Sequence, residues 1–239
     1  RPVSDSIRDA AQARWGWHWE NQETPQRPVG ITPLYSKVKL WCVPNVESVR
    51  PVGPPAPNSP DFQTAANELN DVLDNLTNDQ RKIANFWSDG LGTYTPPGHW
   101  NRFACESIVK NRYNPLRAAR VLAYLNMAMQ DAGIACWDAK YYFHYPRPIQ
   151  AMPGFKTILG TPNFPSYTSG HSMFSAAGAE VLSYIFPADA ATFQNYSEEA
   201  ALSRLYGGIH YRFDITDGNT SGKAVGQYTI DRMKVDGGE

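Results

Sequence analysis

The stretch PLRAARVLAYLNMAMQDAGIACWDAKYYFHY, at residues 115–145, decides the fold. Its apolar residues recur at helical spacing behind a proline suited to a first helical turn, so it predicts one long helix that ends by Pro146. Gly133 is a candidate position for a kink in this helix. Four polar residues interrupt the apolar run and exclude a membrane span: Arg120, Asn126, Gln130 and Asp131.

Helical patterns continue on both sides of this stretch. Upstream, three further helices are predicted to open at a cap-and-proline pair, a capping box and a proline, which are Ser59–Pro60, Thr77–Gln80 and Pro97. Downstream, helices are predicted over residues 169–186, 188–206 and 213–233. No convincing strand alternation appears, so the predicted class is all-α and the architecture is a helical bundle.

The N-terminal quarter of the chain has a different character. A short helix is predicted within residues 5–20, and a Pro-rich irregular segment follows, with at most a short strand near residues 37–43. We therefore predict two parts: an N-terminal helix with a Pro-rich extended segment over residues 1–58, and the helical bundle that carries the chemistry over residues 59–239.

Charge and composition exclude several classes of protein. The chain carries 22 Lys and Arg against 23 Asp and Glu, whereas a nucleic-acid binder usually shows a basic excess. Hydrophobic residues make up 42% of 239 positions, so the chain can bury a core and is not expected to be disordered. The three cysteines are too few for a disulfide framework or a zinc site, and they are expected to be buried free thiols, with one Cys42–Cys105 bridge left open.

Two cations mark the end of the long predicted helix. Lys140 and Arg147 are seven residues apart. Seven residues are close to two helical turns, so both side chains are expected to project from one face. Asp138 lies about 160° round the helix from Lys140 and does not neutralise it. Such a pair either forms a solvated cationic face or holds an anion between its members.

A second group of residues suits the same anion. Ser169-Gly170-His171 opens an apolar helix. A glycine lets the backbone approach a ligand, and free N–H groups at a helix N-terminus bind anions. Ser169 adds a hydroxyl donor, although it can equally serve as an ordinary N-cap.

A third group follows near the C-terminus. Gly207-Gly208 breaks the helix between Arg204 and His210, so both side chains can converge on one point. His210 and Asp214 are four residues apart, which allows the carboxylate to hold one imidazole nitrogen while the other faces a substrate. Alone, such a His-Asp pair is more often structural than catalytic.

Taken in order, the three groups form one pattern of ten residues: Lys140, Arg147, Pro148, Ser169, Gly170, His171, Ser203, Arg204, His210 and Asp214. This pattern resembles the signature of the vanadium-dependent haloperoxidases and the acid phosphatases of the PAP2 superfamily. The stretch TPPGHWN at residues 95–101 is similar to bacterial haloperoxidase-type members. Thr168 stands where the family usually has proline, which changes the rigidity of a loop rather than a ligand.

The resemblance implies a helical bundle with a site for a tetrahedral or trigonal oxyanion, either vanadate or phosphate. Five residues would bind its equatorial oxygens: Lys140, Arg147, Ser169, Gly170 and Arg204. His210 would be the protein ligand of vanadate, and His171 would contact the axial oxygen as acid and base. Asp214 would steady the imidazole of His210, and Lys140 would polarise bound peroxide.

Two enzyme classes share this implied site. A haloperoxidase would use hydrogen peroxide to oxidise halide to a hypohalous species, whereas a phosphatase would attack a phosphate monoester with His210 and form a phosphohistidine. Trp137 and Phe164 are similar to the chloroperoxidase type and favour the first reading, although core packing also explains them. His99 is a further pocket-wall candidate, or a capping or surface residue. A non-catalytic oxyanion-binding protein is the third alternative.

The expected partners are therefore small molecules, namely hydrogen peroxide, halide or a phosphate ester, with no nucleic acid and no membrane span. Full members of the family usually carry another helical bundle upstream, so the resemblance implies a C-terminal portion, a compact variant or a homo-oligomer. It also favours a periplasmic or secreted location.

Overall fold

A computed structural model describes residues 3–22, 25, 30–90 and 92–238. Within these ranges the chain forms α-helices and short 3-10 turns with no β-strand, which confirms the all-α class. The helices are α1 (Val3–Trp15), α2 (Pro60–Asp74), α3 (Asn78–Phe86), α4 (Thr95–Lys110), α5 (Pro115–Phe143), α6 (Pro148–Ala151), α7 (Gly170–Ile185), α8 (Ala190–Tyr206) and α9 (Arg212–Val235). The 3-10 turns are Tyr35–Lys37, Val46–Ser48 and Pro187–Asp189. None of the described helices is both long and apolar enough to cross a bilayer.

Helix starts follow the capping residues of the sequence. The Ser59 side chain accepts a hydrogen bond from the Phe62 N–H and caps α2. Thr77 and Gln80 form the predicted capping box of α3. Ser169 caps α7 in the same way, since its hydroxyl accepts from the Ser172 N–H. These side chains satisfy N–H groups that the first helical turn leaves without a carbonyl partner.

The end of α5 departs from the prediction. The helix runs unbroken through Gly133 and stops at Phe143, because His144 adopts a left-handed conformation with φ of 51°. Arg147 therefore does not lie on α5 with Lys140; it precedes Pro148 at the start of α6. The expectation that one helical face projects both cations is wrong, and the loop after α5 places Arg147 instead.

A row of glycines brings α9 against α7. Gly218, Gly222 and Gly226 are spaced four residues apart on α9 and are all buried or partly buried in the interface. A Cβ atom at Gly218 would lie 2.9 Å from the Ser169 carbonyl oxygen, and one at Gly226 would lie 2.6 Å from the Glu180 Cβ. Only residues without a side chain allow this approach, which places the start of α9 beside the N-terminus of α7.

The segment before α2 lies on α5 and contains no strand at residues 37–43. The buried carboxylate of Asp131 accepts hydrogen bonds from the N–H groups of Trp41, Cys42 and Val43 at 2.8, 2.8 and 3.0 Å. These donors are turned toward one carboxylate, so they are not available to a neighbouring strand. The division of the chain at residue 58 stays a prediction.

All three cysteines are free thiols, so the Cys42–Cys105 bridge is not formed. Cys136 is buried as expected, but Cys105 is exposed and Cys42 is partly exposed.

Candidate active site

The three predicted cations meet in the interior of the bundle. Lys140 and Arg147 are fully buried, and Arg204 is 2% exposed. Two buried carboxylates act on these charges: Asp214 on Lys140 and Arg147, and Asp89 on Arg204. Burial lowers the pKa of Lys140 to about 7, and with Lys140 protonated the site holds one more positive charge than negative charge. Because burying an uncompensated charge is unfavourable, this arrangement favours binding of an anion.

Lys140 is held by the loop that leads into α7. Its Nζ donates to the carbonyl oxygens of Pro165 and Ser166 at 2.9 and 2.8 Å, and to that of Thr168 at 2.5 Å. All three ammonium hydrogens are thus engaged. Burial lowers the pKa of Lys140, and the neighbouring Arg147 adds to this effect. Lys140 holds the loop in position, and a direct contact with an anion requires it to exchange one of these carbonyls.

Arg147 reaches the site from the loop between α5 and α6. Its Nε donates to the Phe164 carbonyl oxygen at 3.0 Å, and its Nη1 donates to the Ile209 carbonyl oxygen at 2.7 Å and lies 3.0 Å from Nε2 of His210. Its Nη2 is buried and has no hydrogen-bond partner among the described residues. A buried guanidinium N–H without an acceptor is unfavourable, so an oxygen ligand fits at this position.

Arg204 lies at the C-terminal end of α8, just before the predicted break. Its Nε donates to the Ser203 hydroxyl at 2.9 Å, and its Nη2 donates to the carbonyl oxygens of Ala84 and Trp87 at 3.3 and 2.6 Å. Gly208 has φ of 73°, which turns the chain so that the following residues fold back toward the site. Burial lowers the pKa of Arg204, yet the guanidinium stays cationic at neutral pH.

His210 and Asp214 form the predicted pair. Nδ1 of His210 lies 2.7 Å from Oδ2 of Asp214, which also accepts a hydrogen bond from the Ser166 hydroxyl. Burial lowers the pKa of His210 well below its ordinary value, and Arg147 and Lys140 lower it further, so the ring is neutral. With Nδ1–H donated to Asp214, Nε2 carries a lone pair that accepts from Arg147. That lone pair can bind or attack an electrophilic centre.

The N-terminus of α7 supplies backbone donors. Ser169 is fully buried, and its N–H donates to the Asp214 carbonyl oxygen at 2.9 Å, which joins this helix start to α9. The first-turn N–H groups of Gly170 and His171 have no carbonyl partner within the helix. A Cβ at Gly170 would meet only ordinary van der Waals neighbours at 3.9 Å, so packing does not require glycine here. The absence of a side chain instead leaves the N–H groups at the start of α7 accessible to a ligand.

His171 faces an acidic residue that the sequence interpretation missed. Nε2 of His171 lies 3.6 Å from Oδ2 of Asp89, which in turn lies 2.9 Å from Nδ1 of His99. Burial and the charge of Arg204 lower the pKa of His171 to about 4, against the opposing effect of Asp89. His99 is therefore not a pocket wall but a buried residue behind Asp89. Between two helices, SDG at residues 88–90 indicates only a turn, so the sequence offered no specific signal for Asp89.

Phe164 and Trp137 form the aromatic side of the cluster. The Phe164 ring centre lies 5.0 Å from Nζ of Lys140 and 5.1 Å from Cζ of Arg147. Trp137 packs on the outer side of Phe164, with ring centres 5.1 Å apart. Phe164 therefore contacts the cations directly, whereas Trp137 does so only through Phe164. Ser166, which the sequence interpretation did not single out, supports Asp214 from the same loop.

Comparison with known proteins agrees with this geometry. Residues 120–232, which carry all ten positions of the pattern, match the family model of the PAP2 superfamily. Over this range, just under half of its length, the chain resembles the PAP2 superfamily. The matched range begins inside α5 and ends near the end of α9, so it contains the cation cluster, the N-terminus of α7 and the His210–Asp214 pair.

Proteins similar to this chain include haloperoxidases. It is 28% identical to a vanadium chloroperoxidase from Curvularia inaequalis over an alignment of 112 residues, covering 35% of this chain and 18% of that protein. A solved bacterial vanadium-dependent iodoperoxidase is 28% identical with a TM-score of 0.81, covering 90% of this chain and 59% of its own. The chain thus spans less than two thirds of either protein.

A phosphatase shares the fold. A transmembrane PAP2-type phosphatidylglycerolphosphate phosphatase from Bacillus subtilis is 13% identical with a TM-score of 0.53, and the match covers 76% of this chain and 91% of that protein. At this identity the likeness concerns the fold alone. The expected resemblance to this superfamily is confirmed, while the roles of the individual site residues stay predictions.

Proposed function

We propose that the chain is the catalytic part of a vanadate-dependent haloperoxidase-type enzyme that oxidises halide with hydrogen peroxide to a hypohalous species. The observation that carries this proposal is the buried cluster of three cations around the neutral Nε2 of His210. Its chemistry suits a compact oxyanion of high charge. The likeness to a bacterial iodoperoxidase over 90% of the chain supports the haloperoxidase reading.

The residues present fit vanadate. The unpaired Nη2 of Arg147 and the first-turn N–H groups of α7 would bind its oxygens, and Nε2 of His210 would be its protein ligand. Bound vanadate would supply a Lewis-acidic centre that activates hydrogen peroxide. His210 would have to exchange its contact with Nη1 of Arg147 for this ligand, which frees a second guanidinium nitrogen for the anion.

The remaining residues would position and protonate. Asp214 would fix the tautomer of His210 through Nδ1, and Lys140 would keep the loop at residues 165–168 in place. His171 turns Nε2 toward Asp89, which leaves Nδ1 to exchange protons with substrate oxygens. Phe164 would exclude water from the cation side, which strengthens the charge interactions there.

A PAP2-type phosphatase is the second candidate, and the His210–Asp214 geometry favours it as well. A neutral imidazole whose Nδ1–H is held at 2.7 Å by a carboxylate is suited to attack phosphorus through Nε2. His171 would then protonate the leaving alcohol. Phosphate and vanadate have similar shape and charge, so both activities use the same contacts.

Two assays test the proposal. The protein is loaded with orthovanadate and assayed for peroxide-dependent iodination and bromination of a dye, and the vanadium-free protein is assayed for hydrolysis of an aryl phosphate. We expect halogenation that is lost in His210→Ala and kept in His18→Ala. His18 follows α1, contacts Gln12 of that helix and is partly exposed, so it is a suitable control. Phosphate release without halogenation for any halide would favour the phosphatase, and anion binding without turnover would favour a non-catalytic binding protein.

A further inference from the structure

A row of hydrogen-bonding side chains leads from His171 to the surface between α3 and α4. Oδ2 of Asp89 lies 3.6 Å from Nε2 of His171 and 2.9 Å from Nδ1 of His99. Nε2 of His99 lies 3.2 Å from the Tyr94 hydroxyl, which also accepts from Nη1 of Arg102 at 3.4 Å. The inner side chains are 2–3% exposed, whereas Tyr94 is 52% exposed. The row therefore spans the distance from a buried imidazole to solvent.

The surroundings isolate this row. The His99 ring packs against aromatic rings on several sides, with ring centres 4.7 Å from Trp87, 5.0 Å from Phe86 and 5.7 Å from Phe103. Such a lining leaves protons few acceptors other than members of the row. Burial alone would raise the pKa of Asp89, but the neighbouring imidazoles of His171 and His99 keep it below its ordinary value, so the carboxylate is ionised.

We propose that Tyr94, His99 and Asp89 form a proton relay that connects His171 with solvent. The directions of the bonds suit inward transfer, since Nδ1–H of His99 donates to the Asp89 carboxylate and Nε2 accepts from the Tyr94 hydroxyl. Nε2 of His171 and Oδ2 of Asp89 lie 3.6 Å apart, so a small side-chain movement would bring them to hydrogen-bond distance. Asp89 passes a proton between two imidazoles, and Tyr94 exchanges it with water.

The transfer balances as one proton gained from solvent. His171 gives the proton on Nδ1 to a substrate oxygen and receives one on Nε2 from Asp89. Asp89 takes that proton from Nδ1 of His99, whose Nε2 takes the Tyr94 hydroxyl proton, and water returns a proton to Tyr94. All groups end with their starting charges, and the two imidazoles regain their starting tautomers by exchange with solvent.

The relay deepens the proposed function and rests on it for its catalytic meaning. Oxidation of a halide X⁻ by hydrogen peroxide, X⁻ + H₂O₂ + H⁺ → HOX + H₂O, consumes one proton in each turnover. His171 exposes only 14% of its side chain, and an anion seated against the N-terminus of α7 would cover part of that edge. A second path for protons then becomes useful. A phosphatase would use His171 to protonate its leaving alcohol, but it would regain that proton from the attacking water and consume none overall.

The decisive variant is Tyr94→Phe, which keeps the ring against His99 and removes the hydroxyl. Its matched control is Tyr196→Phe, because Tyr196 stacks on Phe103 in the same aromatic group, with ring centres 4.6 Å apart, but lies outside the row. We expect Tyr94→Phe to lower kcat by about 10-fold, a fraction of the usual contribution of acid–base catalysis, with unchanged vanadate affinity. Raising the concentration of imidazole buffer should restore kcat in Tyr94→Phe and leave Tyr196→Phe unaffected.

Two results would overturn the relay. One is a wild-type kcat for Tyr94→Phe at all pH values and buffer concentrations. The other is a loss of kcat in Tyr94→Phe that imidazole does not restore and that is accompanied by weaker vanadate binding. That result would mean that these residues only support the structure of the site. If the wild type shows no turnover in either assay, the proposed function fails, and the relay is tested by NMR exchange of the His171 ring N–H proton with water. The relay then requires slower exchange in Tyr94→Phe than in Tyr196→Phe, and equal rates would refute it.

Discussion

Binding of an oxyanion should stabilise the fold, because the folded chain buries three cations against two carboxylates. Lys140, Arg147 and Arg204 are at most 2% exposed. An anion that binds only the folded state adds about 2.7 kcal/mol to the free energy of unfolding at 100 times its Kd. For a chain of 239 residues, 1 kcal/mol raises Tm by about 2–4 °C. We therefore expect vanadate or phosphate to raise Tm by about 5–11 °C at this saturation.

The assay is thermal unfolding with increasing orthovanadate or phosphate, at an ionic strength kept constant with chloride. Arg147→Met should melt below the wild-type Tm without anion, because loss of the guanidinium leaves the carbonyl oxygens of Phe164 and Ile209 without this donor and Asp214 without one of its cations. It should gain little from the anion, because it lacks the unpaired Nη2. Arg212→Met is the matched control, as Arg212 pairs with Glu68 in a partly exposed position and should keep the full shift.

Two outcomes would refute this reasoning. If the anion raises Tm equally in the wild type and in Arg147→Met, the buried cluster is not where the anion binds. If dialysis detects no binding of either anion and neither raises the wild-type Tm, the buried cations are already compensated within the chain.

Three further outcomes are expected. The pKa of His171 is lowered to about 4, so the unfolded chain takes up a proton near pH 6.5 that the folded chain does not. In anion-free buffer, the free energy of unfolding should therefore fall by up to about 3 kcal/mol as the pH is lowered from 6.5 to 4. Urea unfolding should show a smaller fall in His171→Gln. Gly222→Ala should lower the free energy of unfolding by about 1–3 kcal/mol, because its Cβ would collide with the backbone of α7, while Gly160→Ala, which meets nothing within 4 Å, should leave it unchanged. Native protein should react at once with a thiol reagent at exposed Cys105, whereas buried Cys136, whose pKa burial raises, should react only after unfolding.

Local signals predicted much of the fold. Ser59, Thr77 and Ser169 cap helices where their sequence neighbours indicated, because a cap depends on residues only a few positions away. The break at Gly207–Gly208 was also predictable, since a glycine turn needs no distant partner. The relative position of Lys140 and Arg147 was not predictable in this way. His144 lies between them and ends α5 in a left-handed conformation that nothing in the preceding pattern specifies.

Long-range contacts account for what the sequence could not predict. Asp131 turns the N–H groups of residues 41–43 toward itself across about 90 positions of sequence, and this excluded the expected strand. Asp89 meets His171 only after α3 has packed on α8 and α4 has packed on α7. The ten-residue pattern located the cation cluster but not the groups behind it, since residues that act through another side chain need no fixed spacing to it.

The hydrogen bonds that Asp131 accepts from the backbone of residues 41–43 affect which amino acids these positions can carry. All three contacts use the backbone of residues 41–43, so they are independent of the side chains that those residues carry. Exposed Trp41 can therefore be replaced by almost any residue without loosening the segment. Proline is the exception, because it lacks the N–H group that the carboxylate binds. Among homologous chains, exposed position 41 should differ widely in composition and yet exclude one amino acid.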